Sequence, residues 1–143
     1  MFEYKCKVLK VVDGDTVDVD IDLGFGVWLR DERVRVAGID SPESRTRDLV
    51  EKEFGLAAKA YLIRCLAGKD VQLVCKSYDS KGKFGRILGD FRTPELVSVA
   101  QSMIDEKHAV AYSGQSKDDV EEQHLANRAF LIENGTVRLD DEE

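Results

Sequence analysis

At 143 residues the chain is long enough to bury one core and too short for two ordinary domains. Its formal charge of -7 excludes a simple basic nucleic-acid binder, because duplex affinity rests on neutralising phosphates with Lys and Arg. The charge is lopsided: residues 1–92 hold seventeen basic and sixteen acidic side chains, net +1, while residues 93–143 hold four and twelve, net -8.

Tyr4, Cys6 and Val8 alternate with Lys5 and Lys7, the period of a half-buried strand running to Val12. DGDT then turns the chain. Val17, Val19 and Ile21 alternate with Asp18, Asp20 and Asp22 in a second strand, GFG at 24–26 closes a hairpin, and a third strand returns from Val27 to about Ile39. Pro42 stops it, because Ser41 is driven to an extended conformation. Phe54, Ala57, Ala58, Tyr61, Leu62 and Cys65 recur at helical spacing, and Gly68 suits the stop. Val71, Leu73 and Cys75 make a fourth strand, and FGRILGDF a fifth ending near Phe91.

TPEL predicts a second helix capped by Thr93 with Pro94 at its first position, and AVAY a short apolar link. Ser116 and Asp119 have the spacing of a capping box for a third helix, which Gly135 ends. The expected fold is a β-barrel with helices, of α+β class: a five-stranded OB-fold Greek-key barrel plus three α-helices, one domain over residues 1–135 with an acidic, solvated tail at 136–143. Cys6, Cys65 and Cys75 show neither a CxxC pair nor a disulfide framework and are expected as reduced core residues. The N-terminal residues lack a signal-peptide apolar run and no segment is apolar enough to span a bilayer, so a cytoplasmic protein without a membrane partner is expected.

The chemistry concentrates in RVRVAGIDSPES, residues 33–44, which sets two arginines and two carboxylates around an apolar centre. Asp13 and Asp15 flank a tight turn, and Asp40 and Glu43 flank Ser41-Pro42. Carboxylates without His or Cys beside them suit a hard cation, calcium before magnesium or zinc. Each motif alone is also an ordinary turn or strand exit. One geometric difficulty stands out: strict alternation puts Arg35 and Asp40 on opposite faces, so a bulge at Gly38 or the strand's end must reunite them.

Taken together, DGDT, Arg35 before IDSPE, and KFGR at a fifth strand resemble the staphylococcal nuclease (thermonuclease) family of calcium-dependent phosphodiesterases. The likeness extends over VVDGDTV, RVRVAGIDSPES, VEKEFG, KFGR, AVAY and EEQHL. It implies a nuclease acting on DNA, RNA or both, preferably single-stranded, as a monomer, with Ca2+ as cofactor and products bearing a 3'-phosphate. By the same resemblance Asp15, Asp40 and the Ser41 main-chain carbonyl hold the cation and Asp13 stands in its outer shell. Glu43 positions or deprotonates the attacking water, and Arg35 and Arg86 grip the phosphate. Lys83 and Tyr112 are carried over as substrate contacts.

Three departures qualify the likeness: Phe84 replaces a phosphate-binding tyrosine, Gly114 replaces the second of two base-flanking tyrosines, and the hairpin between Asp15 and Arg35 is longer and carries Trp28. Trp28 is expected in the core, with a nucleic-acid contact as the sharper alternative. His124 and His108 are assigned no chemistry. A local basic groove is expected from Arg30, Arg33, Arg35, Arg45, Arg47, Lys81, Lys83 and Arg86. The competing readings are a non-catalytic OB-fold module for nucleic acid or protein, and a domain whose carboxylates bind calcium without turnover.

Overall fold

Alternation of apolar and charged residues builds the barrel strand by strand. The computed structural model describes residues 2–68, 70–79 and 86–139, and for residues 76–79 and 86 the backbone alone. The elements are β1 (Phe2–Asp13), β2 (Thr16–Gly24), β3 (Val27–Val36), β4 (Ile39–Asp40), α1 (Leu49–Leu66), β5 (Val71–Asp79), β6 (Arg86–Arg92), α2 (Val99–Asp105), β7 (Val110–Ala111) and α3 (Lys117–Glu133). Five strands close a barrel in the order β1-β2-β3-β6-β5. Every neighbouring pair is antiparallel except β3 with β6, which run parallel. The expected OB-fold barrel with three helices is therefore observed.

Val17, Val19, Ile21, Val34, Val36, Leu73, Ile87 and Phe91 fill the barrel, and α1 closes it with Ala58, Leu62, Cys65 and Leu66. These are the inward members of each alternation, and burying each side chain of this size contributes roughly 1.5–3 kcal/mol. Cys65 lies in this core, with Cys6 and Cys75 packed against it. Burial pushes the Cys6 thiol up to about 12. No helix among the described residues is long and apolar enough to cross a membrane.

The helix stripe from Phe54 to Cys65 is observed, in a helix that begins earlier, at Leu49, because the Asp48 side chain accepts the Val50 and Glu51 amides. Four expectations are corrected. Thr93 does not cap a helix: its hydroxyl oxygen takes the Glu95 and Leu96 amides in a local turn. Ser98 caps α2 instead, while Asp90 accepts the Ala100 amide at 3.0 Å. AVAY is more than a link, since Val110 and Ala111 pair with Asp40 and Ile39. Trp28 is not a core residue; it is 37% exposed, with the Arg30 guanidinium 4.8 Å above its ring. The solvated tail starts later than residue 136, because Val137 is buried with Phe54 and Leu131 in a second small cluster.

Candidate active site

The DGDT turn does more than reverse the chain. Asp15 accepts its neighbour's hydroxyl, Thr16 Oγ1, at 3.0 Å through Oδ1 and the Ser41 amide at 3.3 Å through Oδ2, and its carbonyl accepts the Val36 amide at 2.8 Å. Asp13 accepts the Ser44 amide at 3.1 Å. Two carboxylates two residues apart thus hold the 41–44 loop by its backbone hydrogens, the pairing that anionic acceptors and amide donors favour.

Arg35 and Asp40 meet because the strand ends between them. After Val36 the chain turns through Gly38, whose φ of +81° lies in the left-handed region that a side chain would strain, and β4 then peels away onto β7. Arg35 is clamped in place: its Nη1 donates to the Val36 and Ile39 carbonyls at 3.2 and 3.0 Å. The same guanidinium lies 3.4 Å from Asp15 Oδ2 and 3.9 Å from Asp40 Oδ1. One arginine therefore spans both expected cation-binding carboxylates. With its side chain 25% exposed, it still reaches solvent and anything that enters the cleft.

Glu43 stands on the exposed crest of the loop, and α1 runs directly beneath it. The contact is so close that a Cβ on Gly55 would overlap the Glu43 carbonyl and lie 2.6 Å from the Ser44 nitrogen. Glu51, one turn earlier on the helix, accepts the Glu43 amide at 3.1 Å. The VEKEFG segment is thus the platform of the loop, a role that hydrophobic periodicity cannot show because it depends on which glycine faces a neighbouring backbone.

These groups share a cleft of about 770 Å³ whose far wall is α3. Tyr112 lines it, 45% exposed, with its amide bound to the Gly38 carbonyl at 2.8 Å. His124 and Arg128, one turn apart on α3, also face it. His124 Nε2 sits 2.8 Å from Asp40 Oδ2. Both escape a reading by sequence, since nothing local says which face of a thinly apolar helix meets a loop 84 residues away. A second groove, of about 700 Å³, passes Lys5, Lys7, Lys10 and Trp28, and its lining has no arginine–carboxylate set.

Of the remaining expected residues, Arg86 opens β6 opposite Asp79, with only its backbone described. Lys83 and Phe84 lie outside the described residues. Two members of the expected basic groove are ion-paired. Arg30 is bound to Asp20 at 3.0 Å, and Arg33 forks onto Asp18 at 2.9 and 3.2 Å, so both charges are matched on the barrel's outer face. Hydrogen bonding from the Asp31 amide, and then from Arg30, holds the Asp20 carboxyl below its ordinary range against the opposing effect of desolvation. Arg45 joins Arg33, Arg35 and Asp13 around a smaller depression.

A cation would find oxygen donors here. Among the described residues no three His, Cys, Asp or Glu side chains converge as a ligand set. Asp15 and Asp40 flank one guanidinium, and the nearest nitrogen donor, His124, is engaged with Asp40. Two carboxylates completed by main-chain and water oxygens fit a hard divalent ion and no soft one.

Several known proteins resemble this chain in sequence. An uncharacterised endonuclease of Escherichia coli is 30% identical over 114 residues, covering 80% of this chain and 65% of its own length. A thermonuclease of Staphylococcus intermedius is 36% identical over 83 residues, 57% of this chain and 44% of the relative. A micrococcal nuclease of Shigella flexneri is 30% identical over 118 residues, 77% and 59%. The chain spans less than two thirds of the length of each of these relatives. Residues 33–130, which hold Arg35, Asp40, Glu43, Arg86 and Tyr112, match the family described as staphylococcal nuclease homologue, and the chain belongs to that family.

Proposed function

We propose that this chain is a calcium-dependent phosphodiesterase that hydrolyses DNA, RNA or both, with single strands preferred. The observation that carries the reading is the placement of Arg35 between Asp15 and Asp40 on the cleft that Glu43 overlooks. In this reading Asp15, Asp40 and the Ser41 carbonyl hold the ion, with Asp13 behind them. When bound, the ion offsets negative charge on a phosphoryl oxygen.

The protein's own groups do the rest. Arg35 presents a planar, permanently charged fork to the equatorial oxygens, where charge grows as water attacks. Its two carbonyl anchors keep the guanidinium in place, so little reorganisation is needed. Arg86 grips the phosphate from β6 and Lys83 adds a further cation. Glu43 takes the proton of the attacking water, and its exposure lets that proton escape to solvent. Tyr112 lies against a base, and attack leaves a 3'-phosphate. The protein acts as a cytoplasmic monomer, and its excess acid in residues 93–143 makes binding depend on the local charge of the cleft and on salt.

The deciding experiment incubates purified protein with single-stranded DNA and RNA, in calcium and then in chelator, beside Glu43→Gln. Cutting should require calcium and fall at least about 100-fold in the variant, the scale of a lost general base. Binding without cutting by the wild type would favour the non-catalytic OB-fold module instead.

A further inference from the structure

His124 lies in the middle of α3, 15% exposed, with Nε2 at 2.8 Å from Asp40 Oδ2. A carboxylate only accepts, so the hydrogen must sit on Nε2, and that nitrogen has no lone pair left for a metal. The other oxygen of Asp40, Oδ1, is the one turned toward Arg35 Nη2. Asp40 is thus held from two sides, by α3 through one oxygen and by β3 through the other. The side chain needs this support: β4 is two residues long and pairs with a two-residue strand, and the bonds that hold this segment fix its backbone rather than the Asp40 carboxylate. The helix that supplies the histidine is also lightly held. Leu131 is the one buried residue of α3, helped by the Asn127 side-chain amide on the Ala109 carbonyl at 3.3 Å and by Arg128 over the Phe54 ring.

We propose that His124 is a positioning residue for the cation site, orienting Asp40 by its Oδ2 so that Oδ1 stays turned toward Arg35, and that this bond couples the docking of α3 to cation affinity. The inference rests on the cation-binding reading given above. Outer partners that orient a metal-binding carboxylate act on affinity without touching the ion. The coupling must be reciprocal: a cation that favours the oriented Asp40 also favours α3 on the barrel.

Calorimetric titration of the full chain with calcium, for wild type, His124→Leu and His124→Gln, tests the proposal. The leucine variant should bind roughly 10–100-fold more weakly, as for other lost outer partners. Glutamine, which keeps an N–H donor, should recover most of the affinity. Melting temperatures in chelator should stay within a few degrees among the three, roughly the scale of one lost hydrogen bond, which separates orientation from misfolding. Calcium should slow hydrogen exchange across 117–133 in the wild type and much less in the leucine variant. Equal affinities, tighter binding by the leucine variant, or equal weakening in leucine and glutamine would each overturn the proposal. A wild type that binds no calcium defeats both this proposal and the cation-binding reading, whereas a calcium-dependent wild type with an unaffected leucine variant defeats this one alone.

Discussion

Helices α1 and α3 are nearly equal in length, 18 and 17 residues, yet they are attached to the barrel by different physics. Six residues of α1 are buried, among them Ala58 and Leu62, which sit in the barrel core at no more than 1% exposure. One residue of α3 is buried, while Leu125, Phe130 and Ile132 stand about half exposed. Hydrophobic burial is non-directional and large, so α1 belongs to the core and carries the loop of Glu43 as a rigid bed. A hydrogen bond contributes little net but is directional, so α3 gains its meaning where His124 meets Asp40. Both helices thus border the cleft, one fixed to the core by burial and the other by directed contacts.

The sharpest way to break this contrast is to truncate both helices. Leu62→Ala should cost about 2–5 kcal/mol by urea unfolding, through lost burial and the cavity left behind. Leu131→Ala should cost distinctly less, because its cluster is small. Equal costs would show that α3 is as much a core helix as α1.

Acid provides a second way. His108 is buried and stacked on Tyr61 of α1, and burial, reinforced by Arg64, lowers its pKa from 6.5 to about 4. The neutral ring is favoured in the folded state, so the unfolded chain binds more protons between those values. Its contribution is complete above about pH 6.5 and is lost as pH falls toward 4, by at most roughly 3 kcal/mol. Unfolding free energies across that window, compared with His108→Gln, should show a steeper decline for the wild type. Parallel curves would mean that His108 is not held neutral by its packing against α1.

The last change has the most local meaning. Gly55→Ala forces the Glu43–Ser44 backbone away from α1 and should cost about 1–3 kcal/mol, the usual scale of overpacking. It should also reduce nuclease activity beyond any loss of folded protein, because Glu43 moves with that backbone. Full activity per folded molecule would show that the helix bed does not set the position of Glu43.

Much of the barrel was legible because its strands alternate strictly. Val17, Val19 and Ile21 point inward for the same reason that Asp18, Asp20 and Asp22 do not. The helix stripe from Phe54 was equally plain, whereas the start of α2 was not, since Thr93 and Ser98 are both competent caps and Asp90, near the end of β6, favours the second. Asp15, Arg35, Asp40 and Glu43 were readable as one site through the order of their motifs, but whether a bulge or a strand end at Gly38 reunites Arg35 and Asp40 was not.

By itself the sequence determined the inward and outward faces, the carboxylates and arginines available for chemistry, and the family to which their order points. Only the tertiary structure decided that Gly38 breaks the strand, that Gly55 admits the Glu43 loop, and that His124 reaches Asp40. Faces follow from local periodicity, which a chain carries along its length. Contacts between residues 12 to 84 positions apart depend on how closed elements pack, and no local pattern encodes that.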